Sequence, residues 1–155
     1  MADSGRIRIA KDKAELVKEL ASDDTDKGVF QTFAEVVVFA AALGVKHQRQ
    51  VPLREISKRE PAPIRLDIFA SNGYDWLIKV LGVNYTGNIQ ILAPDEDQNQ
   101  AYQIFEEYAN GGLEILQGEL HGAVDYSERI LLLLNYERDN STEENEEFDL
   151  SRFLT

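Results

Sequence analysis

The longest coherent pattern of apolar positions runs from Asp95 to Leu120. Apolar or small residues fall at 101, 104, 105, 108, 109, 112, 115, 116 and 120, the i, i+3, i+4, i+7 spacing of one helix face. The phase holds straight through Gly111-Gly112, although each glycine inside a helix costs roughly 1 kcal/mol relative to alanine. One helix that keeps its register there marks either a close approach of another backbone or a kink. The other reading is two shorter helices broken at Gly111. Pro94 suits a first helical position, and Gly118 to Gly122 the end.

The remaining pattern also reads as helices. Asp12 and Glu15 have capping-box spacing, and Leu16, Val17, Leu20 and Ala21 follow at helical intervals, ending near Ser22. Val36 to Leu43 is apolar almost throughout. Three consecutive valines favour a strand by propensity. The Thr32–Glu35 capping box before them, the alanines after and Gly44 in the C′ position favour a helix, predicted to be the central one. Asp67 to Val83 suits one helix weakened at Asn72-Gly73, or two short ones. Asp125 and Glu128 form a third capping-box pair before Ile130 to Leu134, a continuous apolar run read as core. Arg6 to Ile9 alternates as a short strand or extended arm. Lys46 to Arg65, with Pro52, Pro61 and Pro63, is predicted to be a connection with at most a turn at Leu53 to Ser57. The sum is a mainly α, single compact domain of about five to six helices over residues 1–136, allowing a short N-terminal strand.

From Glu137 the character changes. Residues 137–155 hold seven acids and two arginines, and the part up to Glu147 reads as a disordered acidic linker. It ends in Phe148, Leu150, Phe153 and Leu154, the last three at helical spacing. Such a tail either folds back on its own domain or docks as an amphipathic helix in a partner's groove.

Composition narrows the chemistry. At 155 residues the chain fits one domain with a real core. No run of about twenty uncharged apolar residues exists, so no spanning helix is expected, and the N-terminus lacks a hydrophobic leader. With no cysteine, and His47 and His121 far apart, neither a metal nor a cofactor is expected. A soluble, cytoplasmic domain is the expectation. No Gly-x-Ser-x-Gly, phosphate-binding loop or Gly-x-Gly-x-x-Gly is present. Glu106-Glu107 point about 100° apart on a helix and read as a solvated face, and His121 as a helix-end residue. No catalytic constellation emerges, so the chain is not expected to be an enzyme.

Charge is divided between the halves. The net charge is −12, yet residues 1–65 hold 12 Lys and Arg against 10 acids, and residues 66–155 hold 4 against 18. Lys46, Arg49, Arg54, Lys58, Arg59 and Arg65 cluster in one stretch against only Glu55 and Glu60. These six either contact phosphate or pair with the chain's own acidic half. No aromatic residue lies among them, so stacking on single-stranded bases has no support.

Five stretches, together spanning nearly the whole chain, resemble one family. They are Arg8 to Leu16, Phe39 to Gly44, Pro52 to Ile64, Ile104 to Leu116 (with its Glu-Glu-Tyr-Ala-Asn-Gly-Gly-Leu-Glu segment) and Phe148 to Leu154. The family is the DNA phosphorothioation-associated (Dnd-system-associated) protein 4 family. The resemblance carries no catalytic motif across. It implies an accessory role beside the bacterial machinery that replaces a non-bridging phosphate oxygen with sulfur, and beside the restriction of unmodified DNA that forms a defence system. The expected partners are other proteins of that machinery, met through Phe148, Leu150, Phe153 and Leu154, with no membrane. The alternatives are DNA binding or regulation through the 46–65 stretch, or an acidic C-terminal half that imitates DNA and inhibits a DNA-binding partner.

Overall fold

The N-terminal segment and the long connection meet first. In the computed structural model, which describes residues 5–23, 27–87 and 96–146, β1 (Arg6–Ile7) pairs antiparallel with β2 (Ile64–Arg65). Ile7 lies opposite Ile64 and both are buried, while Arg6 lies opposite Arg65. The pairing continues loosely as a bridge from Ala10 to Ile56, with the Lys11 N–H on Glu55 O at 2.9 Å and the Ser57 N–H on Ile9 O at 2.8 Å. Leu53 to Ser57, where the sequence allowed at most a turn, is irregular chain whose backbone groups at Glu55 and Ser57 find partners in the N-terminal arm.

Six helices make up the rest of the described structure: α1 (Ala14–Leu20), α2 (Phe33–Lys46), α3 (Leu66–Ser71), α4 (Asp75–Thr86), α5 (Glu96–Leu120) and α6 (Tyr126–Glu146). Two of the three predicted caps form. Thr32 Oγ1 accepts the Glu35 N–H at 3.2 Å while the Glu35 carboxylate accepts the Gln31 N–H at 3.1 Å. Asp125 Oδ1 accepts the Glu128 N–H at 3.2 Å. The cap at Asp12 does not: Asp12 sits inside a 3-10 turn (Lys11–Lys13) that precedes α1, and its carboxylate takes the Lys13 ammonium at 3.1 Å instead. α3 and α4 divide at Asn72-Gly73, where Gly73 turns the chain at φ +81°.

α5 is one unbroken helix, and the reason its glycines are tolerated is visible in its partner. A Cβ on Gly112 would overlap the carbonyl oxygen of Ala40, one on Gly111 that of Arg49, and one on Gly44 that of Tyr108. The order of these contacts makes α2 and α5 antiparallel, with their backbones touching. Gly44 is thus not the C′ residue. α2 continues to Lys46 and ends through Gln48, at φ 53°, because Gly44 is there to admit α5. Around this crossing Val17, Leu20, Val36, Val37, Leu113 and Leu116 close the core, and Phe69 meets Phe105 edge to face at 5.9 Å.

α6 departs from expectation twice. Of the run Ile130 to Leu134 only Ile130 and Leu133 are buried; Leu131, Leu132 and Leu134 are exposed. Successive helical residues turn by about 100°, so five adjacent apolar residues cannot all face one neighbour. Residues 137–146, which read as a disordered linker, continue the helix. Pro94 and Phe148 to Leu154 lie outside the described residues. No helix among the described residues is long and apolar enough to cross a membrane.

Candidate functional site

The six cations of 46–65 do not form one surface. Lys46 and Arg49 lie at the end of α2 and pair with the acidic half. The Lys46 ammonium reaches Glu137 Oε2 at 3.1 Å and Glu137 O at 2.9 Å, and Arg49 pairs with Glu114 of α5. His47, beside them, bonds the same Glu137 carboxylate through Nε2. Arg65 pairs with Asp67. Arg54, Lys58 and Arg59 are exposed and make no ion pair or hydrogen bond among the described residues.

The Glu137 contact is what fastens α6 to α2. Burial pushes its carboxyl up, but the hydrogen bonds and charges of His47 and Lys46 outweigh this and hold it below the ordinary carboxylate range. Cations at the last turn of α2 also suit the negative end of that helix.

Glu106 overturns the solvated-face reading of the Glu106-Glu107 pair. It is only 3% exposed and receives Arg8 three ways: the backbone N–H, Nε at 3.0 Å to Oε2 and Nη2 at 2.9 Å to Oε1. This two-pronged guanidinium–carboxylate geometry is the strong form of an ion pair, and the Glu106 hydrogen bond raises the Arg8 pKa. Glu107 is engaged too. Its carboxylate takes Gln50 Nε2 at 2.6 Å and its carbonyl the Val51 N–H at 3.0 Å, while Asn110 Nδ2 donates to Val51 O at 3.1 Å. These polar groups of α5 pin the N-terminal arm and the connection. The signal in the sequence was slight: Glu106, Asn110 and Leu113 share a stripe beside the apolar one, and only Leu113 marks it as inward.

The remaining candidate surface is α6. Leu131, Leu132, Leu134 and Tyr136 are 59, 55, 45 and 60% exposed, far beyond what a helix seated in a core would leave. Glu137 is the last buried side chain described on α6. The helix then runs on to Glu146, about 14 Å past its anchor at 1.5 Å per residue. The predicted contact residues Phe148, Leu150, Phe153 and Leu154 follow, outside the described residues. Among the described residues no group of three or more His, Asp or Glu is placed to hold a metal ion.

Comparison with known families then gives this arrangement a context. The sequence model of a family described as DNA sulphur modification system-associated protein 4 matches residues 6–153. The chain belongs to that family, and the match runs through α6 into the residues after it. No curated protein and no solved structure matches the chain.

Proposed function

We propose that this member of the DNA sulphur modification system-associated protein 4 family is a non-catalytic, cytoplasmic accessory protein. It binds other proteins of the phosphorothioation machinery through α6 and the residues that follow it. The observation that carries the reading is the group of four large apolar side chains standing in solvent on a helix held by a single buried stripe. Fully burying one such side chain is worth roughly 1.5–3 kcal/mol; Leu131 and Leu134 fall on one side of the buried stripe and Leu132 and Tyr136 on the other, and exposed apolar groups of this size mark interaction surfaces. Past Glu137 the helix is rich in acids, which steers a basic partner surface toward it. Phe148, Leu150, Phe153 and Leu154 lie where the chain continues from that end, and would extend the same contact.

The test is affinity capture of the tagged protein from a host carrying the system, after nuclease treatment. Captured proteins are identified by mass spectrometry. Components of the sulphur-modification or restriction machinery are expected with the wild type. They should be lost with Leu131→Ser/Leu134→Ser/Tyr136→Ser, and reduced when residues 147–155 are deleted. Undiminished capture by the triple variant would end the α6 reading. Undiminished capture by the truncation would remove the tail from the contact.

A further inference from the structure

A helix that rests on its own domain needs one apolar stripe, and α6 carries apolar side chains on three sides. With about 100° per residue, Ile130, Leu133 and Glu137 form the buried stripe, Leu131 and Leu134 flank it on one side, and Leu132 and Tyr136 on the other. Glu128, Asn135 and Asp139 are exposed and fall within about 30° of the line opposite the stripe. A helix with so little polar surface is at home when enclosed. On the Leu132 side the enclosure is already begun. Gly122, Ala123, Val124, Glu128, Arg129 and Leu132 are among the residues lining a cavity of about 460 Å³, and Val124 there is 82% exposed. The polar line carries an acid near each end. Asp139 meets Arg138 at 3.7 Å, but in so exposed a pair the attraction is weak.

We infer, resting on the reading of α6 as a protein interface, that the partner takes α6 into a groove with two apolar walls and a basic floor. One wall meets Leu131 and Leu134. The other meets Leu132 and Tyr136 and sends an apolar side chain into the cavity beside Val124, as the anchor residues of protein interfaces do. The floor carries Lys or Arg opposite Glu128 and Asp139, because Tyr126–Glu146 contains six acids and two arginines and the potentials of two docked surfaces are complementary. This is helix-in-groove recognition in which this chain supplies the helix. Both flanks belong to one partner. They are separated by no more than the roughly 10–12 Å width of a helix, and a stable interface covers about 800 Å² on each protein, so two proteins seated side by side would collide over the polar line. A second α6 is a poor occupant: it is acidic itself and offers no basic stretch in either direction.

The experiment places a benzophenone amino acid at Leu131, Leu132 or Asn135, one at a time, in the full tagged chain within a host carrying the system. After irradiation the cross-linked peptides are mapped by mass spectrometry. All three positions are exposed, so the substituted chains should unfold at the wild-type temperature. Positions 131 and 132 should attach to two different segments of one protein, and position 135 to a segment of that same protein rich in Lys and Arg. Glu128→Lys should lower all three yields by about threefold, and Glu128→Gln by less. Cross-links from only one of positions 131 and 132 would overturn the groove and leave α6 as a one-sided contact. Different proteins at 131 and 132, an acidic segment at 135, or yields indifferent to Glu128→Lys would also overturn it. So would attachment to a second copy of this chain, recognised by co-expressing a copy with another tag, or to the chain's own residues 147–155. If no position cross-links to another protein, the reading of α6 as an interface falls with the groove.

Discussion

α5 and α6 are of similar length, 25 and 21 residues, yet they spend their side chains differently. At its centre α5 is buried on nearly every side, from Ala109 to Leu113, and its glycines bring it into backbone contact with α2. α6 carries the denser apolar run, but among its described side chains it buries only Ile130, Leu133 and Glu137. Burial therefore follows not how apolar a helix is but whether its partner can reach it. Small residues on α5 and α2 let two backbones close, and the polar side chains of Glu106, Glu107 and Asn110 then find partners of their own. α6 lies over the edge of that pair, fixed by one stripe and one carboxylate, and its other apolar positions remain for something else.

The largest effect that would break this contrast is at the helix crossing. Gly112→Ala places a methyl group on the Ala40 carbonyl, which cannot move without shifting α2. A loss of roughly 3 kcal/mol or more is expected in chemical denaturation. Gly118→Ala, in the same helix but facing open space, should instead stabilise by about 0.5–1 kcal/mol. If both alanines cost the same, the glycines report helix propensity and not contact.

Next comes the polar side of α5. Arg8→Ala leaves the buried Glu106 carboxylate with the backbone N–H but without its guanidinium, and should cost about 2 kcal/mol, less than a fully buried pair because Arg8 remains partly exposed. Equilibrium unfolding of Arg8→Ala beside Arg8→Ala/Glu106→Gln would show a smaller penalty in the double variant if the stranded charge is the cause.

The anchor of α6 should respond to acid. Glu137 has its carboxyl pKa lowered in the folded chain, so its contribution is fully present above the unfolded carboxylate range and is lost as pH falls through the lower folded value. The stability difference between wild type and Glu137→Gln should therefore shrink as pH falls into the acid range. A difference that grew on acidification would contradict the anchor. The smallest effect is expected from the exposed face: Leu131→Ser/Leu134→Ser should change stability by within about 0.5 kcal/mol per site.

Much of this fold could be read in the chain, and the exceptions share a cause. The spacing across Gly111-Gly112, the Thr32 cap and the break at Asn72-Gly73 are local, so local physics sufficed. Arg8 and Glu106 are 98 positions apart, and nothing near Glu106 announced a partner for it. Gly44 has the look of a helix stop, and only the presence of Tyr108 across from it explains why the helix goes on. The acidic stretch after Glu137 lacks apolar residues to bury, yet it continues a helix nucleated and anchored upstream. The cation cluster was visible as composition. Its division required the fold, because Lys46 and Arg49 meet Glu137 and Glu114 only once α2 packs against α6 and α5.

The claim that the exposed apolar residues of α6 form a protein interface is tested most directly by hydrogen–deuterium exchange, on the chain alone and on the complex captured from its host. The account predicts slowed exchange across residues 126–146 in the complex, greatest beyond Glu137, with α5 unchanged. Unaltered α6 exchange, with protection appearing elsewhere on the chain, would contradict it.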